Sequence, residues 1–259
     1  MSLPSDKRSR SRSFRPRSLG LIGFGAFGRL VAKHVAPYFA VRVFDPALSP
    51  DAVLPDNVER AALAEAASSP IVVIAVPVAR MADTMAAIAP HLRPGALVLD
   101  VGSVKVEPAR LMRELLPANV DIVATHPLFG PQSAKDGVKG LKVALCPVRG
   151  RQLRRVAAFL RGAFGLDVIV TSPETHDRET AMAQGLTHLI AKVLVQMEPL
   201  PSRITTRSFD LLLQAIGMVR DDPPNVFDAI ERVNPYAADV RRRFFDLASE
   251  LDLELRKDR

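Results

Sequence analysis

A layered α/β fold followed by a helical C-terminal part is what this sequence predicts, and three observations carry that expectation. A glycine-rich loop, Gly23-Phe24-Gly25-Ala26-Phe27-Gly28, joins a short apolar run, residues 19–22, to an amphipathic segment, residues 29–35. Short continuous apolar runs then alternate with helix-patterned segments as far as Val170. Such runs suit strands covered on both faces, and their alternation predicts an open, mainly parallel sheet with helices on both sides. Beyond Thr171 the strand-like runs stop and only helical patterns remain.

The glycines of the loop have separate tasks. Gly23 permits a tight turn, Gly25 lets the backbone approach a pyrophosphate, and Gly28 lets the next helix pack close to its strand. The free N–H groups at that helix start, at Ala26 and Phe27, face the phosphates. A second apolar run, Val41-Arg42-Val43-Phe44, ends in Asp45, 22 residues after Gly23. A carboxylate at that distance accepts hydrogen bonds from an adenosine ribose. The order strand, glycine loop, helix, strand, acid defines a Rossmann-type dinucleotide site. Its expected contacts are Gly23, Gly25, Ala26, Phe27, Gly28 and Asp45, with Val76 and Pro77 beside them at the end of the run over residues 71–77. Asp45 repels a 2′-phosphate and so favours NAD, while the adjacent Arg42 keeps NADP open.

After Asp45, residues 46–56 read as loop and residues 58–67 as an alanine-rich helix. Strands are expected over residues 71–76, 96–101, 120–125, 142–146 and 168–170, with helices over 81–89, 106–116 and 152–164. Thr171-Ser172-Pro173-Glu174 then announces a helix through a hydroxyl cap, a proline in the first turn and an acid at the positive end of the dipole. One long helix is predicted over 173–196, and further helices over 206–218 and 226–253, with Pro199, Pro201, Pro223 and Pro224 at the joins. The expected organisation is a basic tail at 1–18, a dinucleotide-binding domain at 19–171 and a smaller all-α helical bundle at 172–259. Apolar stripes in the bundle include Leu211, Leu212, Leu213, Ile216, Phe244, Phe245 and Leu247. So small a helical unit completes its core against a second copy, which predicts a homodimer through the bundle.

Length and composition narrow the classes. The 259 residues suffice for one large or two smaller domains, and 48% apolar content indicates a globular chain. No apolar run approaches the roughly 20 residues that cross a bilayer, and the basic, serine-rich start lacks the apolar core of a secretory signal. A single cysteine, Cys146, excludes an internal disulfide framework and suits a reducing cytoplasm; it reads as a small buried strand residue. Five of the seven net positive charges fall in residues 1–18, which leaves the remainder near neutral. With no accompanying aromatic or helix-turn-helix pattern, the tail reads as a solvated extension and nucleic acid as an unlikely partner.

Ligands of an open α/β sheet lie beyond the carboxyl ends of its strands. Two segments stand there, Asp100-Val101-Gly102-Ser103-Val104-Lys105 and Thr125-His126-Pro127-Leu128-Phe129-Gly130-Pro131. A histidine at His126 can take a hydroxyl proton as hydride leaves the same carbon, and Ser103 can fix its tautomer. The long helix carries His176, Thr180, Gln184 and His188 at intervals of four, which puts them along one slowly drifting face, as in the wall of a cleft. The helix histidines are twelve residues apart with no dense set of acids or cysteines, so no metal site is expected.

Together these segments resemble the signature series of the prephenate and arogenate dehydrogenases, continued by His176-Asp177 and Thr187-His188. Phe129-Gly130-Pro131 and Ile204-Thr205-Thr206-Arg207-Ser208-Phe209 are similar to the plant-type arogenate enzymes. The resemblance runs from residue 19 to about residue 220 in the correct order. It implies NAD(P)-dependent oxidative decarboxylation of a cyclohexadienol, with His126 as base and Ser103 holding both His126 and the substrate hydroxyl. His188 and His176 match substrate-contacting positions, and Gln132 stands where many members have an acid. The substrate-binding arginine of prephenate enzymes has Arg203, Arg207 and Arg220 as candidates here. A carboxylate near the substrate would favour arogenate, whose ammonium replaces the ketone of prephenate, and Asp136 could supply it. Other readings are a two-domain reductase for pyrroline carboxylate or a β-hydroxyacid, the latter needing a lysine such as Lys192, and a non-catalytic dinucleotide sensor.

Overall fold

The computed structural model describes residues 17–257. The expected tail therefore lies outside the described residues except for Arg17 and Ser18, and Ser18 already opens the first strand. Strand β1 (Ser18–Ile22) leads through the glycine loop into α1 (Ala26–Val35) and β2 (Ala40–Phe44). There follow β3 (Val58–Arg60), α2 (Leu63–Ala67), β4 (Ile71–Ile74), α3 (Met81–Ile88), β5 (Leu97–Asp100) and α4 (Val106–Leu115). Strands β6 (Asp121–Pro127) and β7 (Lys142–Arg149), helix α5 (Leu153–Phe164) and β8 (Asp167–Val170) complete one eight-stranded sheet in the order β3-β2-β1-β4-β5-β6-β7-β8.

The alternating burial of these strands explains the layers. One face packs Ile22, Ile74 and Val98 against Met81, Met85 and Met112 of α3 and α4. The other packs Leu19, Leu21 and Val43 against Ala32 and Val35 of α1, and Val143 and Leu145 against Val156 of α5. Cys146 is buried in β7 as expected, and burial pushes its thiol up to about 12. All pairs are parallel except β6 with β7. That exception has a simple cause: no helix lies between β6 and β7, and a parallel return needs a crossover. His126 is thereby held opposite Ala144 in the ladder.

The strand order reverses beside β1, which has β2 on one side and β4 on the other. The crevice beyond that switch point is formed by Gly23–Gly28 and by the chain leaving β4. Gly23 has φ +99°, and a Cβ there would stand 2.5 Å from the Ala75 carbonyl oxygen. A Cβ on Gly28 would overlap the Gly23 carbonyl. Gly28→Ala is expected to lower the unfolding free energy by about 1–3 kcal/mol through overpacking, as read by urea unfolding.

Two expected elements differ in the structure. Residues 58–67 divide into β3 and the short α2: pairing of Val58 with Val41 at the sheet edge outweighs the alanine-rich helix preference, and Glu65 caps α2 by accepting from the Ala62 N–H at 3.1 Å. The expected helix over 226–253 is broken at Pro235. Helix α9 (Pro224–Asp228) and a π-helical turn (Ala229–Val233) precede it, and α10 (Ala237–Lys257) follows. Proline cannot donate to the helix and forces its neighbour Asn234 to an extended ψ of 117°.

The long helix predicted over 173–196 is α6 (Pro173–Thr180), a π-helical turn (Ala181–Gly185) and α7 (Leu186–Gln196), and α8 (Arg207–Val219) packs on α7. Ser172 caps α6 by accepting from the Thr175 N–H at 3.1 Å. The π turn takes one more residue than an α turn, so it removes much of the angular drift that steps of four accumulate. His176 and His188 are thus brought nearer to one face than an unbroken α-helix would bring them. Among the described residues no helix is long and apolar enough to cross a membrane.

Candidate active site

The dinucleotide crevice is built as its sequence requires. Asp45, half-buried at the end of β2, accepts from the Phe24 N–H at 2.6 Å and from the Ala47 N–H at 2.8 Å, which pins the acid against the glycine loop. The first-turn N–H groups of α1, from Ala26 onward, point to the same mouth, as the first intrahelical bond runs from the Arg29 N–H to the Gly25 carbonyl at 3.0 Å. A Cβ on Gly25 would meet nothing within 4 Å. The face of Gly25 is open where a pyrophosphate needs room, so these residues fit a dinucleotide. Val76 closes the inner wall, its Cγ1 3.1 Å from where a Gly23 Cβ would stand, and Pro77 is exposed at the rim. Gly25→Ala should leave unfolding within about 0.5 kcal/mol of the parent while weakening dinucleotide binding roughly tenfold or more, as read by calorimetric titration.

At the carboxyl end of β6 the chain assembles a buried polar cluster. His126 Nδ1 lies 2.9 Å from His176 Nε2, and His176 Nδ1 lies 2.8 Å from Asp177 Oδ1. Asp177 also caps α4, accepting from the Lys105 N–H at 2.7 Å and the Val106 N–H at 2.8 Å. Below them Lys105 is fully buried and its ammonium pairs with Asp100. It donates as well to the Thr125 carbonyl at 2.6 Å. Asp100 accepts in turn from the N–H groups of Thr125 (3.1 Å) and Gly102 (2.9 Å). Burial, then the neighbouring His176 and the Lys105 charge, hold the His126 pKa well below the ordinary histidine value. The ring is neutral at pH 7, as a base must be.

A second pair is made by His188 on α7, twelve residues along the chain from His176. His188 donates from Nδ1 to the Gln184 carbonyl at 2.9 Å, and its Nε2 lies 3.1 Å from Asp222 Oδ2. The other Asp222 oxygen faces Gly130, 3.7 Å from where a Cβ would stand. Gln184 Oε1 is buried and has no partner among the described residues.

Several expected residues take other positions. Ser103 is half-buried and makes no side-chain hydrogen bond among the described residues; the partner that fixes the His126 ring is His176. His176 is buried next to His126 with both ring nitrogens engaged by protein. Gln132 and Asp136 are exposed on the loop between β6 and β7, and the carboxylate beside the site is Asp222. Lys192 lies over the Phe227 ring at 5.4 Å, on the exposed surface of α7. Arg220 pairs with Glu198 at 3.0 Å.

Fold and site define a Rossmann-type dinucleotide-binding architecture with a histidine at the end of a sheet strand. Residues 51–170 match the family model for the nucleotide-binding domain of prephenate dehydrogenase. That match begins beyond the glycine loop, which rests on its own geometry. A probable arogenate/prephenate dehydrogenase of Methanocaldococcus jannaschii is 29% identical over 202 residues, covering 73% of this chain and 44% of that protein. The chloroplastic arogenate dehydrogenase 2 of Arabidopsis thaliana is 34% identical over 167 residues, covering 62% and 46%. The chain thus spans under half the length of these curated relatives. In fold it is similar to prephenate dehydrogenase from A. aeolicus, solved with hydroxyphenyl propionate and NAD+, at a TM-score of 0.72 and 20% identity over 95% of this chain and 93% of that one. The chain is thus similar to prephenate and arogenate dehydrogenases, and residues 51–170 carry the match to their nucleotide-binding domain.

Proposed function

We propose that this protein oxidatively decarboxylates a cyclohexadienol of the prephenate/arogenate type with NAD, giving 4-hydroxyphenylpyruvate or tyrosine, and that His126 is the base. The observation that carries the reading is a buried imidazole, held neutral, at the strand end beside an open dinucleotide crevice. When bound, NAD supplies the hydride acceptor. His126 takes the ring hydroxyl proton as hydride leaves that carbon. The ring carboxylate departs as carbon dioxide, and the proton returns to the oxygen of the new phenol. Aromatisation drives the change, so the chain need only orient the donor, hold the proton and exclude water. His188 and Gln184 line the substrate side in this reading, with Ser103 and Gln132 reaching it from their loops; the unpartnered Gln184 Oε1 supports that assignment.

Between the two substrates, arogenate is favoured. A carboxylate at Asp222, beside His188 and Gly130, complements an ammonium and repels a keto acid. Purified protein assayed with arogenate or prephenate and NAD or NADP should reduce NAD with arogenate fastest. Asp222→Asn should cut the arogenate preference about tenfold or more, the worth of one charge-assisted hydrogen bond. No reduced cofactor in any combination would reject the reading.

Residues 19–171 act here as the dinucleotide unit and 172–259 as a helical substrate and dimerisation unit. Exposed Leu211, Leu212 and Met218 of α8, with Phe245 and Leu247 of α10, support a homodimer through the helices. Sedimentation at micromolar concentration should show two copies, and a monomer there would remove the proposal.

A further inference from the structure

His126 does not stand alone, and the hydrogens around it can be assigned one by one. Asp177 faces three N–H positions, those of Lys105, Val106 and His176 Nδ1, at 2.7 to 2.8 Å. An ionised carboxylate only accepts, and this one sits at the N-terminus of the ten-residue α4, where the helix dipole favours its charge. His176 Nδ1 therefore carries hydrogen. Across the 2.9 Å gap between His176 Nε2 and His126 Nδ1 there is room for one hydrogen. With both rings neutral it belongs to His126, which leaves His126 Nε2 as a bare lone pair. No other hydrogen bond to the His126 ring occurs among the described residues.

We propose that His176 and Asp177 form a proton relay behind His126: as the reacting hydroxyl proton arrives at His126 Nε2, the Nδ1 proton passes to His176 Nε2. This rests on the reading of His126 as the base. The N–H bond at His126 Nε2 forms while the one at Nδ1 breaks, so the His126 ring stays neutral and the positive charge settles on His176 beside Asp177. The same two transfers run backward when the phenol oxygen recovers its proton.

The electrostatics give the direction. The charged groups about His126 are the Lys105–Asp100 pair from α4 and β5, and His176 with Asp177 from α6. The Lys105 ammonium opposes a charge on His126. Asp177 attracts one on His176 at 2.8 Å. The relay moves the charge from the first position to the second, between two buried rings.

Two measurements on the full chain test this. The first is nitrogen NMR of the histidine rings at neutral pH; with five histidines the spectrum is tractable. His126 is expected with hydrogen on Nδ1 and a bare Nε2, and the opposite tautomer would overturn the relay. This measurement needs no turnover, so it decides the relay even if the proposed reaction fails. The second is His176→Phe, which keeps a ring in place but cannot take a proton. The expected result is a kcat lower by roughly a hundredfold, unchanged dinucleotide affinity, and an acid limb of the pH profile that moves up toward the ordinary histidine range. A merely structural His176 would cost folded protein and leave kcat per folded molecule at the parental value. Folded His176→Phe with parental kcat and acid limb would overturn the proposal.

Discussion

His126→Asn is expected to lower kcat by about 10³-fold, within the range that a positioned base contributes, with the dissociation constant for NAD unchanged. Asparagine keeps a polar side chain of similar reach but cannot accept and return a proton. His126 is on β6, whereas the dinucleotide crevice is formed at β1, β2 and β4, so binding and turnover should separate cleanly in calorimetry and steady-state assays. The parent pH profile follows from the same residue. A base works when deprotonated, and the pKa of His126 is depressed from 6.5 by burial, His176 and Lys105. Activity should thus persist as pH falls through 6.5 and decline only well below it. A decline centred on 6.5 would mean that the ring is solvated in the working enzyme.

The largest loss of stability is expected at Lys105→Met. Lys105 and Asp100 are both fully buried, and Asp100 also gathers the N–H groups of Thr125 and Gly102. Removing the ammonium leaves a carboxylate in the core with no countercharge, at a cost of about 3–5 kcal/mol. Lys105→Met combined with Asp100→Asn should recover part of this, because the stranded charge is gone. Urea unfolding of the two variants checks both statements; equal stability for Lys105→Met and the parent would show that the pair contributes nothing. Since Lys105 also donates to the Thr125 carbonyl, next to His126, the single variant should be slower per folded molecule too.

Much of this molecule is legible in its sequence because apolar periodicity is a local signal. The strands around Ile71–Ile74 and Leu97–Asp100, the glycine loop and the cap at Ser172 follow from neighbouring residues alone. The misplaced elements are those where a distant partner or a single residue decides. Residues 58–60 carry too few apolar positions to outweigh the alanines after them, and become a strand through pairing with β2. Pro235 is a local stop signal that the long apolar pattern of residues 226–253 hides. The site divides in the same way. His126, His176 and His188 are visible as types at telling positions, but their roles depend on contacts across 50 and 34 residues. Asp222 sits in an unremarkable Asp-Asp-Pro-Pro stretch. Its one signal was that a site discriminating an ammonium needs a carboxylate, and the spacing pointed to Asp136 instead. The pairing of Lys105 with Asp100 is not legible in the sequence, because spacing does not reveal that each is buried by the other.

The central claim is that the His126 imidazole manages the hydroxyl proton while hydride and carbon dioxide leave one ring. It is tested most directly by mixing purified protein with arogenate and NAD and recording reduced cofactor and released carbon dioxide together. The account predicts equal amounts of the two at every time point, and almost none of either with His126→Asn that still binds NAD. Cofactor reduction without carbon dioxide, or undiminished turnover in that variant, would contradict it.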